Sequence, residues 1–149
     1  MQRFFIGIVL LFLVGLVACE PPTVEEEEFE LPEKMAAYYT LVVAKHDTAM
    51  LLMGDIERTQ RALRKVMPQY EAEQEQQILR ALTDLKKAEE GMMTWMHEFK
   101  STELNEEEYR KWSEAAIRTY LEEEEQKIEQ VHVAMSTSIA KGQALLKEL

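Results

Sequence analysis

Cysteine, glycine and proline are scarce in this sequence of 149 residues, which has one cysteine, five glycines and four prolines. A single cysteine cannot build an internal disulfide framework, and so few glycines and prolines exclude collagen-like repeats. The sequence has three histidines but no HxxxH or HExxH pair, no GxSxG motif and no glycine-rich phosphate loop. These absences argue against catalysis, and we do not expect an enzyme.

Basic residues are also few, with 17 lysines and arginines against 28 acidic residues and a formal net charge of −11. A charge of this sign repels nucleic acid and anionic lipid headgroups, so nucleic acid is not an expected partner. The hydrophobic content of 46% is nevertheless too high for a disordered chain. The length therefore predicts one folded domain.

One apolar run stands out at the N-terminus, over residues 4–17, directly after Arg3. It ends in Leu16-Val17-Ala18-Cys19, which resembles the bacterial lipobox. That resemblance implies that residues 1–18 are a cleaved signal peptide and that Cys19 becomes the lipidated N-terminus, anchored in the bilayer. The alternative is an uncleaved anchor, but the run is shorter than the roughly 20 residues that span a bilayer.

Residues 19–33 are predicted to form a flexible acidic tether between the lipid and the domain. From Glu20 to Glu33 the chain has three prolines and seven glutamates, a composition that does not order itself. An acidic run behind a lipidated cysteine also resembles the surface-export signal of Bacteroidota lipoproteins. The predicted location is the bacterial envelope at the outer membrane, with the periplasmic or surface face left open.

The rest of the chain, residues 34–149, has the composition of helices and contains Pro68 as its single proline. Pro68 separates two helices, and residues 101–105 supply caps for a third. We predict helices at about 33–67, 69–100 and 104–147. Short connections make neighbours antiparallel, so the expected fold is an all-α, up-down-up three-helix bundle with coiled-coil-like packing.

Alternating steps of four and three place mostly apolar residues on one seam of each helix, with one or two polar exceptions. The first seam is Met35, Tyr39, Val42, His46, Ala49, Met53, Ile56, Gln60, Leu63 and Met67. The second is Ile78, Leu82, Leu85, Glu89, Met92, Met96 and Phe99. The third is Ile117, Leu121, Glu124, Ile128, Val131, Met135, Ser138, Gly142, Leu145 and Leu149.

Tight turns would place His46 level with residues 89–91 and with residues 115–116. The same register leaves the third helix overhanging beyond Ser136. The overhang carries an apolar tip made of Ile139, Leu145, Leu146 and Leu149. Three interpretations are open: the tip binds a partner, the end of the helix frays, or the predicted helix boundaries are misplaced.

His46 has two interpretations, and the favoured one is a polar core pair with Glu89 that fixes the helix register. In this interpretation no cofactor is bound. The alternative is a Cu(I) or haem site, because thioether sulfur and imidazole suit Cu(I). Its candidate ligands are His46, Met50, Met53, Glu89, Met92, Met93 and Met96. Methionine also fills helical cores without any metal.

Two segments carry a family resemblance: HDTAMLLMG at residues 46–54 and AEEGMMTWMH at residues 88–97. They are similar to paired signatures of small Bacteroidota envelope lipoproteins often labelled viral A-type inclusion protein, a name inherited from coiled-coil similarity. The resemblance implies a lipid-anchored helical protein and brings no activity with it. The expected function is a non-catalytic interaction or structural module, with an envelope protein or a second copy as its partner.

Overall fold

The computed structural model describes residues 29–149, so the predicted signal peptide, Cys19 and most of the predicted tether lie outside the described part of the chain. All regular structure within that range is helical. The helices are α1 (Glu33–Met50), α2 (Met53–Val66), α3 (Ala72–Glu98), α4 (Thr102–Lys111) and α5 (Glu114–Glu148), with a 3₁₀ turn at Met67–Gln69. The predicted all-α class is confirmed, and α1, α2, α3 and α5 pack together.

The predicted first helix, 33–67, is interrupted at Leu51 and Leu52. Both residues keep helical backbone angles, but the Leu52 N–H donates to the Ala49 carbonyl, three residues back, at 2.9 Å. A hydrogen bond of this spacing tightens one turn in the manner of a 3₁₀ helix. The chain therefore passes from α1 into α2 through a local irregularity.

The predicted third helix, 104–147, is divided at Trp112 and Ser113, where the backbone is extended. The Ser101 hydroxyl caps α4 by accepting the backbone N–H three residues later, at 3.3 Å. The Ser113 hydroxyl caps α5 in the same way, at 3.2 Å. Two serine caps thus begin two helices, and the sequence predicts only the first of them.

The helix directions follow from side-chain contacts at the two ends of the molecule. Tyr38 near the start of α1 donates its hydroxyl to Glu125, and Tyr70 after α2 donates to the Leu149 carbonyl. The helices α1 and α2, which together we call the first segment, therefore run in the same direction as α5. α3 runs the opposite way, because the Lys100 N–H just past its C-terminal end donates to a tyrosine hydroxyl near the start of α5, at 2.6 Å.

The core lies between these segments and matches the predicted seams. Every seam residue is buried or partly buried, which confirms the three seam predictions. Trp95 and Tyr109 are buried in addition, although neither lies on a predicted seam. The most completely buried aliphatic residues are Val42, Ile56, Leu63, Ile78, Leu85, Leu121 and Ile128.

The predicted C-terminal overhang is wrong, because α5 packs onto the bundle along its length. The four tip residues contact the core: Ile139, Leu145, Leu146 and Leu149. The reason is the register. The ten residues of α4 fold separately at the end of the bundle, so Gly91 faces Val131, where tight turns place residues 115–116. A shift of about four helical turns draws the last turns of α5 back onto α2 and α3.

The end of the predicted tether also lies against the folded domain. Phe29 and Leu31 pack on the core, and the Arg110 guanidinium lies 5.2 Å from the centre of the Phe29 ring. Across residues 29–149, no helix has both the length and the apolar character needed to cross a bilayer.

Candidate functional site

His46 is held mainly by an aromatic neighbour. Its ring stacks on Trp95, with centroids 5.2 Å apart and planes inclined by 21°. Its Nδ1 lies 3.0 Å from the carboxylate of the adjacent Asp47. Its Nε2 is buried and has no hydrogen-bond partner among residues 29–149.

Glu89 pairs with a residue other than His46. The Gln60 amide donates to Glu89 Oε2 at 3.1 Å, and Arg64 donates to the Gln60 carbonyl oxygen at 3.1 Å. The polar link between the first segment and α3 therefore passes through Gln60, the second polar residue of the same predicted seam. Treating both polar seam residues as candidate partners of Glu89 would have found it.

The connection between α2 and α3 explains why Glu89 pairs with Gln60 and not with the predicted His46. After the 3₁₀ turn, Tyr70 and Glu71 have extended backbone angles. Extended residues have a larger rise per residue than helical ones. They carry the chain beyond the end of α2 before α3 runs back along it. Each residue of α3 therefore meets a later residue of α2 than a tight turn at Pro68 predicts.

The structure does not gather all the predicted methionine ligands at one point. Met92 is fully buried, whereas the neighbouring Met93 is 54% exposed. Met50, Met53 and Met96 are partly buried against the core. Within the described part of the chain, no group of three or more His, Cys, Asp or Glu is placed to hold a metal ion.

The His46–Trp95 stack belongs to a larger cluster of rings, which we name the aromatic end. Trp95 stacks on Phe99 at 4.6 Å, and Tyr109 contacts Trp112 at 5.0 Å. Burial raises the pKa of Tyr109, so its phenol stays neutral and donates to the Lys100 carbonyl at 2.8 Å. Besides the His46 imidazole, the cluster consists of seven aromatic rings: Phe29, Tyr39, Trp95, Phe99, Tyr109, Trp112 and Tyr120.

A charged network joins α1 to α5 beside this cluster. Tyr38 donates to Glu125 at 2.5 Å, and Lys45 bridges Glu125 and Glu129 at 3.1 Å each. The hydrogen bond from Tyr38, followed by Lys45, holds the pKa of Glu125 below its ordinary value. The same hydrogen bond is the main reason that the pKa of Tyr38 rises to about 12.

A groove runs along the outside of the bundle between α3 and α5, and we name it the α3–α5 groove. It consists of two adjoining cavities of about 590 and 310 Å³ that share Lys87, Ala88, Gln130 and Ala134. Four of its lining residues are small, Ala88, Gly91, Ala134 and Ser138, and Val133 at its edge is 53% exposed. The sequence alone does not indicate this groove, because the groove depends on the register between α3 and α5.

Charged residues stand at both ends of the groove. Asp84 and Lys141 line one end, and Glu98 and Lys127 line the other. Lys87 on α3 and Glu129 on α5 lie between them. Lys127 bonds to the buried Glu124 at 2.8 Å. The arrangement offers an apolar, four-turn surface with fixed charges, which suits the packing of another helical surface.

No family model matches the sequence, and comparison with curated proteins and with solved structures finds no similar protein.

Proposed function

We propose that the protein is a lipid-anchored, non-catalytic module of the bacterial envelope that acts by packing its helices against another protein. In this proposal the first segment, α3 and α5 are the three members of an up-down-up bundle. The observation that supports it is the α3–α5 groove. Small residues there leave space between two helices, and a partner helix fills such space in a helical bundle.

Photochemical crosslinking in the living bacterium tests this role. A photoreactive amino acid at Gln130 stands in the groove, and one at Ser136 is exposed on another face of the same helix. We expect adducts of discrete mass from position 130 and none from position 136. Equal adducts from both positions, or none from position 130, would show that the groove is not a contact surface.

The anchor is the second part of the proposal and rests on the lipobox resemblance around Cys19. We expect incorporation of labelled fatty acid into the wild-type protein and none into Cys19→Ser. Labelling that persists in Cys19→Ser would contradict anchoring through this residue.

A Cu(I)- or haem-binding module is the second candidate function. The observation that favours it is the buried, unpartnered Nε2 of His46, on a helix that also carries Met50. A ligand that binds only the folded state raises the melting temperature. Melts with Cu(I) or haem should show a rise in the wild type that His46→Ala abolishes. An unchanged melting temperature in the wild type would exclude both ligands.

A further inference from the structure

Six charged residues line the α3–α5 groove, and two of them have ion-pair partners inside the molecule: Lys127 pairs with Glu124, and Glu129 pairs with Lys45. Asp84 and Glu98 lie on the α3 wall, and Lys141 lies on the α5 wall. Within residues 29–149 none of these three takes part in an ion pair. Elsewhere on the surface many lysines and arginines do pair, often with a carboxylate four residues away. The groove thus presents charges that are free to meet a second surface.

The two walls carry opposite signs at matching levels. Asp84 on α3 lies level with Lys141 on α5, because the next residues of the two helices are in contact: a Cβ at Gly142 would lie 3.4 Å from Leu85 Cδ1. Glu98 on α3 lies level with Lys127 on α5 in the adjoining cavity. The α3 wall therefore has a net negative charge, with Asp84 and Glu98 against Lys87. The α5 wall has a net positive charge, with Lys127 and Lys141 against Glu129, which is paired with Lys45.

This pattern is self-complementary under one particular symmetry. A two-fold axis parallel to the helices keeps each residue at its level and sets the α3 wall of one copy against the α5 wall of the other. Asp84 then faces Lys141 of the second copy, and Glu98 faces Lys127 of the second copy, each twice. A two-fold axis perpendicular to the helices instead sets the α3 wall of one copy against the α3 wall of the other, and α5 against α5, with the helices antiparallel. Asp84 would then meet Glu98 of the second copy, and the two lysines would also meet.

We propose that the protein forms a parallel, two-fold dimer in which the α3–α5 groove of one copy packs against the same groove of the other. This rests on the proposed function and names the partner as a second copy of the chain. Ala88, Gly91 and Ala134 in the groove allow the helices of the two copies to approach closely. The four α3 and α5 helices then make a four-helix layer at the centre of the dimer.

Parallel pairing also agrees with the proposed anchor. Both copies have Phe29 at the same end of the dimer, so both chains lead toward one bilayer. Residues 20–28, which lie outside the described range, can span at most about 30 Å. Two anchors in one membrane therefore fit a parallel dimer, in which the two-fold axis points away from the bilayer.

A charge swap tests the pairing in the full chain purified in detergent. Asp84 and Lys141 are both exposed, so neither substitution disturbs the core, and far-UV circular dichroism checks this. By sedimentation we expect Asp84→Lys to weaken self-association at least tenfold. The double variant Asp84→Lys/Lys141→Asp should restore it, because opposite charges face each other again. The matched control is Glu123→Lys, which changes the charge equally on an exposed position outside the groove.

Cysteine crosslinking tests the symmetry. In the parallel dimer Asp84 faces Lys141 of the second copy, so an oxidised mixture of the Asp84→Cys and Lys141→Cys chains should give a disulfide-linked heterodimer. In an antiparallel dimer the Asp84→Cys chain would instead crosslink to a Glu98→Cys chain. The parent chain, which carries Cys19 alone, measures any background.

The outcomes separate the two proposals. A wild type that is monomeric, an Asp84→Lys variant that associates normally, or a double variant that fails to recover would each overturn the dimer. If adducts from Gln130 in cells then contain a different protein, the interaction module stands and its partner is not a second copy. If Gln130 gives no adduct, the interaction module falls as well.

Discussion

The two ends of the bundle are packed by opposite means. At the aromatic end, seven aromatic rings fill the space between the helices, and α4 supplies one of them, Tyr109. At the other end, which we name the aliphatic end, α5 approaches α2 and α3 closely because Gly142 has no side chain. A Cβ there would lie 2.7 Å from Thr59 Cγ2. The aromatic end is stabilised by large side chains, and the aliphatic end by the missing side chain of Gly142. Smaller side chains should therefore destabilise the first, and larger side chains should destabilise the second.

Removing volume at the aromatic end should have the largest effect. Tyr109 is 1% exposed and contacts several rings of the cluster. We expect Tyr109→Ala to lower the free energy of unfolding by about 3–5 kcal/mol, as for other buried aromatic side chains. Denaturant titration measures this. Tyr109→Phe keeps the ring and loses the hydroxyl that donates to the Lys100 carbonyl, so its loss should be about 1 kcal/mol. Similar losses in the two variants would contradict the role of the ring.

Adding volume at the aliphatic end should have the next largest effect. Gly142→Leu forces a side chain into Thr59, Leu63 and Leu85, and we expect a loss of about 2–3 kcal/mol. Gly54→Ala is the control, because its Cβ would meet only the movable end of Arg58. It should gain up to about 1 kcal/mol from helix propensity. If Gly142→Leu were tolerated as well as Gly54→Ala, the close approach of α5 would be in error.

Between the two ends, a double-mutant cycle should identify the partner of Glu89. Gln60→Ala and Glu89→Ala should be coupled by about 0.5–1.5 kcal/mol, because the variants remove the same hydrogen bond. The cycle of His46→Ala with Glu89→Ala should give a coupling close to zero. The opposite result would restore the pair that the sequence predicts.

The smallest effect is a pH dependence at the aromatic end. A carboxyl whose folded pKa is lowered contributes stability above its unfolded pKa, and that stability is lost as the pH falls through the folded value. Glu125→Gln should therefore lose less stability than the wild type between pH 7 and pH 3. The difference should stay below about 1 kcal/mol because the network is partly exposed. Thermal melts against pH measure this, and Glu123→Gln should behave as the wild type does.

The partner of Glu125 gives the matching expectation in alkali. The pKa of Tyr38 is raised from 10.0 to about 12, so its contribution is complete below pH 10 and is lost as the pH rises through about 12. Tyr38→Phe should flatten the alkaline limb of the stability curve. An unchanged limb would show that Tyr38 titrates in the same way in the folded and unfolded chains.

The sequence predicts the helical class and the buried faces, because the four-three spacing of apolar residues depends only on helix geometry. It does not predict which residues of different helices meet. That depends on two connections, the extended residues Tyr70 and Glu71 and the separate helix α4. A shift of a few turns leaves every seam buried but exchanges His46 for Gln60 as the partner of Glu89. It also creates the groove, which no single helix reveals.

The clustering of rings has a consequence for optical measurements on this protein. Both of its tryptophans, Trp95 and Trp112, are members of the aromatic end. Indole emission therefore reports on that end alone, and Tyr70 is the nearest chromophore to the aliphatic end. If the two ends unfold together, emission and backbone dichroism give coincident curves. If the aliphatic end unfolds first, the dichroism changes while the emission stays constant, so the native fluorophores alone can separate the two transitions.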